Sequence, residues 1–285
     1  MNEQLKKFEA KVKTEWLDDA TCAAWRKWHD KSVHFWREFT REQLAVTRLA
    51  PGQRVLDLAS GTGDPALAVA AAVGPTGHVT VTDLAPQMLE IARENAGRAG
   101  LGNLSYEVVD AHTMPYADAT FDRVTCRLGV MFFWDCPKAL AEIRRVLKPG
   151  GLVSFVCWGP IEQNENMRTM TGPFNRRQPL PPPVPGAPHP ARFGLPGSLS
   201  AELRAAGFAS CEEKSLVVAL HWPGPPAEMW TRQYEISAPL RPYFDSFDPA
   251  VKAQAIAEVI AALATFYDGK EVVNHAGIVV ATATK

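Results

Sequence analysis

The chain has 285 residues, of which 46% are hydrophobic and 21% charged, the proportions of a soluble globule and not of a disordered segment. Lys plus Arg is 30 and Asp plus Glu is 31, a formal net charge of -1, so nothing in the charge balance predicts a nucleic-acid partner. The five cysteines (Cys22, Cys126, Cys136, Cys157, Cys211) are scattered and form no Cys-x-x-Cys pair. Neither a disulfide framework nor a metal site is expected. Met1 to Lys13 is charged and lacks the apolar core of a secretory signal, and no apolar run reaches membrane-spanning length. A cytoplasmic location is the expectation.

In chain order, residues 1–50 read as a helical cap. Trp25, Trp28, His29, Ser32, Phe35, Trp36 and Phe39 recur at three- and four-residue steps along one side of a helix. Pro51-Gly52 closes this segment with a turn. From 51 to 158 short β-type runs alternate with helical ones. Strands are predicted at 54–58, 78–82, 104–109, 121–126 and 151–157, and helices at 65–73, 86–98 and 137–147. Such alternation predicts crossover units and a parallel sheet. Residues 159–198 interrupt the rhythm, with seven prolines between Pro179 and Pro190. A stiff extended loop is predicted there, either a surface excursion or part of a lid. A short helix at 198–206, a strand at 215–220, a mostly helical stretch at 228–267 and a last strand at 277–284 complete the pattern. The expected fold is α/β: a Rossmann-like, seven-stranded, mostly parallel sheet with helices on both faces. To it are added the helical N-terminal segment and a helical lid insertion, in three parts at 1–50, 51–158 and 159–285.

The strongest local signal is Val55–Ala70, a buried strand, an acidic residue near its end, a Gly61-x-Gly63 turn and a helix. Glycine allows positive φ and lets a ligand lie against backbone, and the carboxyl ends of parallel strands are where α/β sheets bind ligands. Asp83 follows the second strand and suits the hydroxyls of a ribose; Asp110 follows the third and suits an exocyclic amine. Two cofactors compete. Gly-Thr-Gly-Asp-Pro-Ala fits a dinucleotide fingerprint for NAD(P). Asp57, read as standing at the mouth of the loop, would repel a pyrophosphate and suit the ammonium group of S-adenosylmethionine.

Four segments in order carry a resemblance: DLASGTGD (57–64), TDLAPQML (82–89), DAHTMPYADATFD (110–122) and EIRRVLKPGG (142–151). With them the region from Val55 to Trp158 resembles the core of class I S-adenosylmethionine-dependent methyltransferases, and within these the UbiE/COQ5-like quinone-biosynthesis branch. Ala59 stands where the wider superfamily has glycine, which tightens the turn. The resemblance implies that Asp57, Ala59, Gly61, Thr62 and Gly63 border the methionine part. It further implies that Asp83 holds the ribose, that Leu84 and Met88 enclose the adenine, and that Asp110 and Ala111 meet its edge. Arg127 would reach the methionine carboxylate. Leu147–Gly151 reads as a structural turn.

Methyl transfer needs positioning more than acid–base machinery, because the sulfonium is already a good leaving group. Of the candidate bases His29, His34, His112, His221 and His275, His29 stands out for its aromatic neighbours Trp25 and Trp28. Arg127, Tyr234 and Glu235 are candidates for orienting an acceptor, and Met131, Phe132 and Phe133 for lining its pocket. After the fourth strand the chain reads CRLGVMFF, without the Asn/Asp-Pro-Pro-Tyr/Phe motif of nitrogen methyltransferases that grip planar amines. The expected activity is methyl transfer to oxygen or carbon of a small aromatic, quinone or polyketide-like acceptor. An NAD(P)-dependent oxidoreductase, and a protein that holds S-adenosylmethionine without turnover, are the alternatives. The oligomeric state is left open.

Overall fold

The computed structural model describes residues 3–285. Met1 and Asn2, the start of the expected helical cap, lie outside the described residues. The cap is two helices, α1 (Glu3–Trp16) and α2 (Asp19–Thr47). Asp18 separates them by capping α2, its carboxylate accepting the Thr21 N–H at 2.9 Å. The core then runs β1 (Arg54–Leu58), α3 (Ala66–Val73), β2 (His78–Asp83), α4 (Pro86–Arg98), β3 (Leu104–Val108), β4 (Phe121–Arg127), α5 (Cys136–Val146) and β5 (Leu147–Trp158). It continues with α6 (Glu165–Arg177), α7 (Ser198–Ala205), β6 (Ala209–Trp222), α8 (Pro226–Ile236), α9 (Arg241–Asp245), α10 (Pro249–Ala264) and β7 (Val272–Thr284).

The seven strands form one sheet in the order β3-β2-β1-β4-β5-β7-β6. The first five are parallel, and β7 runs antiparallel between β5 and β6. The order reverses between β1 and β4, the switch point at which such sheets leave a crevice beyond the strand ends. Alternation along the strands sends side chains to opposite faces. Leu56, Val153 and Phe155 join Leu140, Ile143 and Leu199 of α5 and α7 in one core. On the other face Val156, Val280 and Leu220 pack with Phe35, Trp36 and Phe39 of α2 and with α6, α8 and α10. Ser154 faces α2 as well, and its hydroxyl lies 2.7 Å from that of Thr47, while Gln43 Nε2 donates to its carbonyl. These buried polar contacts fix the depth at which α2 lies on the sheet.

The stretch 159–198 holds more than the extended loop expected at 179–190. It contains α6, capped by Asn164, whose side-chain oxygen accepts the Met167 N–H at 3.0 Å. Pro173 lies inside the helix, where it removes one backbone donor. Burial of Phe174 beside Trp230 and Phe244 outweighs that loss, with ring centroids 5.5 and 4.9 Å away. The proline-dense part after Gln178 does lack helix and strand. No described helix is long and apolar enough to cross a membrane.

Candidate functional site

A cavity of about 220 Å³ lies over the switch point. The loop after β1 forms its floor. Gly61 has φ +53°, and a Cβ built there would meet no protein atom within 4 Å, so the backbone is bare toward open space. Gly63, at φ +102°, is glycine for a different reason: a Cβ would come within 3.3 Å of the Ala92 backbone in α4. Ala59 takes the left-handed region too, at φ +52°. Leu128, just past β4, does the same at φ +57°. Non-glycine residues in this region are strained, and both border the cavity.

The loop is fixed from several sides. Asp83 Oδ2 accepts the Gly61 N–H at 2.9 Å and Oδ1 accepts the Ala85 N–H at 3.0 Å. Burial pushes the Asp83 carboxyl pKa up, against those backbone donors. Each oxygen keeps a lone pair for a further donor. Asn95 Nδ2 donates to the Thr62 carbonyl at 2.8 Å, and the Thr62 hydroxyl lies 2.8 Å from His29 Nδ1.

Asp110 is held by His112. The ring nitrogen Nε2 accepts the Asp135 N–H at 3.2 Å, so Nδ1 carries the proton and donates to Asp110 Oδ1. Burial raises the Asp110 carboxyl pKa, but the hydrogen bonds from His112 together outweigh it and hold the pKa below its ordinary value. The imidazole stacks on Trp134 with centroids 3.9 Å apart.

Arg127 reaches back to the loop. Its Nη2 lies 2.9 Å from Asp64 Oδ2 and donates to the Asp64 carbonyl at 2.6 Å. Its Nε and Nη1 have no hydrogen-bond partner, and Asp64 Oδ2 is held by Nη2 as an ion pair outside hydrogen-bond geometry. Buried donors and acceptors in native proteins are seldom left unpaired. Here a guanidinium and a carboxylate with spare capacity border one cavity, the donor set that a zwitterion fits.

Of the residues expected from sequence, Ala59, Gly61, Thr62, Asp83, Leu84, Met88, Asp110, Ala111 and Arg127 border this single cavity. Asp57, Gly63 and His29 do not. Asp57 is fully buried: Thr125 donates to its Oδ1, and Oδ2 is unpaired. Burial lifts its pKa to about 6. The placement of Asp57 at the loop mouth is therefore corrected: β1 turns that side chain into the sheet. His29, hydrogen-bonded to the lining residue Thr62, does not itself border the cavity. Tyr234 and Glu235 are tied to Asp245 and Trp28 and lie outside the cavity. Met131, Phe132 and Phe133 border it as expected.

Asp64 was not legible as a site residue from sequence, although it closes the first recognised motif, because the acid preceding the glycines, Asp57, carries the same local signal. It also missed the far half of the cavity. There Trp36 and Trp158 (centroids 5.4 Å apart) meet Asn166 and Met170 of α6, Gln233 of α8 and Phe244 of α9. Residues from five elements, α2, β5, α6, α8 and α9, converge on that half, and no local pattern announces them. Among the described residues lining it, α6, α8 and α9 contribute no titratable side chain.

A family model described as the ubiE/COQ5 methyltransferase family matches residues 29–170. A ubiquinone/menaquinone biosynthesis C-methyltransferase UbiE from Ralstonia pickettii (strain 12J) is 42% identical over 132 residues, which cover 45% of this chain and 53% of that protein. The chain thus spans about half the length of the curated relatives it matches. Among solved structures, a protein from Bacillus halodurans C-125 aligns with a TM-score of 0.55 at 22% identity, covering 87% of this chain and 99% of that one. Phosphoethanolamine N-methyltransferase 2 of Haemonchus contortus, solved with S-adenosyl-L-methionine, aligns at TM-score 0.51 and 19% identity, covering 87% and 52%. At these identities the structural likeness concerns the fold.

Proposed function

We propose, from the match of residues 29–170 to the model of the ubiE/COQ5 methyltransferase family, that this chain transfers a methyl group from S-adenosylmethionine to oxygen or carbon of a small aromatic or quinone-like acceptor. The observation that carries the reading is one continuous cavity. At one end are Gly61, Asp83 and Asp110, at the other an aromatic chamber, and Arg127 with Asp64 lies at the reversal of strand order.

S-adenosylmethionine supplies an electrophilic methyl on a sulfonium that leaves as a neutral thioether. The chain's task is to hold that methyl in line with a nucleophile and away from water. Asp83 has two free lone pairs for the ribose hydroxyls. Leu84 and Met88 offer apolar surface to the adenine, and Asp110 an acceptor for its amine. Asp64 Oδ2 and the unpaired donors of Arg127 suit the ammonium and carboxylate of the methionine part. Asp64 thereby takes the role that sequence reasoning gave to Asp57. It also disfavours a dinucleotide, since a pyrophosphate at the start of α3 would face this carboxylate. Residues 1–50 and the helices of 159–285 serve as a cap on the 51–158 core, and the capping helices provide the acceptor chamber.

Calorimetric titration tests the reading. S-adenosylmethionine is expected to bind, with no heat from NAD or NADP; the reverse result overturns the proposal. A panel of phenols and hydroxyquinones should then yield S-adenosylhomocysteine with at least one member. Cofactor binding with a wholly silent panel favours a protein that holds the cofactor without turnover.

A further inference from the structure

Arg232 of α8 is a buried cation without a counter-ion among the described residues. It is 1% exposed, and its guanidinium carbon lies 4.6, 4.8 and 5.8 Å from the ring centroids of Phe35, Trp36 and Trp222. Its polar contacts are long ones, to the Ser32 hydroxyl at 3.3 and 3.4 Å and to Gln233 Oε1 at 3.3 Å. Burial first, and then Arg127, lowers its pKa to about 9, which leaves it charged at neutral pH. An unpaired charge at such depth is costly, and a fold keeps one only where something offsets it.

The chamber lies one side chain away, because Trp36 and Gln233 are both part of its wall. Other charges nearby do not cancel the cation. Asp64 is engaged by Arg127, and Asp83 and Asp110 stand at the nucleoside end. Asp57 is buried behind the loop and bound by Thr125. His29 is turned onto Thr62. On α2, α8 and β6, the elements around Arg232, the charged neighbours are paired elsewhere: Lys31 with Glu228, Lys27 with Glu235, Arg37 with Glu38 and His221 with Glu271. The chamber wall from α6, α8 and α9 offers no base, yet a guanidinium stands behind it.

Resting on the methyltransferase reading, we propose that Arg232 is a positioning residue whose positive field makes the chamber select the ionised form of a phenolic or enolic acceptor, replacing a general base. The acceptor gives its proton to solvent before it binds. Its oxygen, or the ring carbon conjugated to it, then donates an electron pair to the methyl carbon while the C–S pair leaves with sulfur. Anion and sulfonium become two neutral products; after attack by carbon, the ring hydrogen of the neutral dienone leaves as a proton to water and the oxygen takes one up from solvent, which restores the neutral phenol. A guanidinium suits this task because it stays protonated where a buried ammonium would not.

The test uses the full chain saturated with S-adenosylhomocysteine and 4-nitrophenol as probe, whose phenolate absorbs visible light. Wild type should shift the bound probe's ionisation midpoint downward, favouring phenolate about ten-fold, one pKa unit. Arg232→Met and Arg232→Lys should both lose most of that shift, the buried lysine because it gives up its proton, with S-adenosylhomocysteine affinity in both within about three-fold of wild type. Should Arg232→Met not fold, Ser32→Asp sets a carboxylate beside the guanidinium and should erase the shift in a folded protein. An unshifted midpoint in wild type, an equal shift in every variant, or no probe binding overturns the proposal. Absence of S-adenosylhomocysteine binding in wild type instead overturns the underlying methyltransferase reading.

Discussion

The imidazole of His29 and the hydroxyl of Thr62 are 2.8 Å apart and tie α2 to the glycine loop. Burial foremost lowers the His29 pKa, with Arg98 and Arg127 adding to the effect against Asp30 and Asp64. The native ring therefore holds a proton less readily than in the unfolded chain. Stability from this group is complete above the unfolded pKa, about 6.5, and is lost as pH falls from there through the lower native pKa. His29→Gln should flatten the acid side of a urea-midpoint profile between about pH 7 and 5. Turnover should stay within a few-fold of wild type, whereas loss of a true general base costs about 10²–10⁴.

Asp57 gives the opposite sign. With a pKa raised to about 6, its native form takes up a proton that the unfolded chain releases near its ordinary value. Its ionisation thus opposes folding above pH 6, and the penalty fades as pH falls. Asp57→Asn should stabilise the protein by about 1–2 kcal/mol at pH 7.5 and by clearly less at pH 5, read from urea midpoints. Because its side chain lies outside the cavity, S-adenosylmethionine affinity should change by less than about three-fold.

Asp83→Ala removes the acceptor for the N–H groups of Gly61 and Ala85 together with the proposed ribose contact. Calorimetry should register a loss of about 2–4 kcal/mol in S-adenosylmethionine affinity, one to two hydrogen bonds to a charged group. Unchanged affinity would exclude this residue from the site.

Ala59 and Gly129 fit as a pair. A Cβ on Gly129 would lie 2.6 Å from the Ala59 methyl and 2.7 Å from Cys126 Sγ. Gly129→Ala should cost about 1–3 kcal/mol through overpacking. Ala59→Gly should be nearly neutral or slightly stabilising, since it relieves a left-handed alanine worth about 1 kcal/mol. The double variant should recover only part of the loss, because the sulfur contact remains. Thermal denaturation of the four proteins checks this cycle.

The parallel core was legible because each unit carries its own local signals. The strand-loop-helix around Gly61, the helix starting at Pro86 and the acids ending β2 and β3 are contiguous in sequence. The direction of a side chain at a strand end is not. Asp57 and Asp64 are both acids beside the same glycines, and only the pleat of β1 and the pairing of β4 send one inward and the other toward the cavity. Helix α6 was hidden for another reason. Gly172-Pro173 argues locally against a helix, while Phe174 gains its burial from Trp230 and Phe244, more than fifty residues further along. The acceptor chamber is of the same kind, assembled from side chains that meet only in the folded chain.

Helix α2 runs unbroken from Asp19 to Thr47, and Trp25 and Trp36 on it border the cavity, about 16 Å apart along the axis. A stiff rod resting on two compartments admits no independent doors. Any displacement of α2 wide enough to free a spent nucleoside near Trp25 also disturbs the roof that Trp36 supplies for the other ligand, so departure from one compartment is mechanically linked to access at the other.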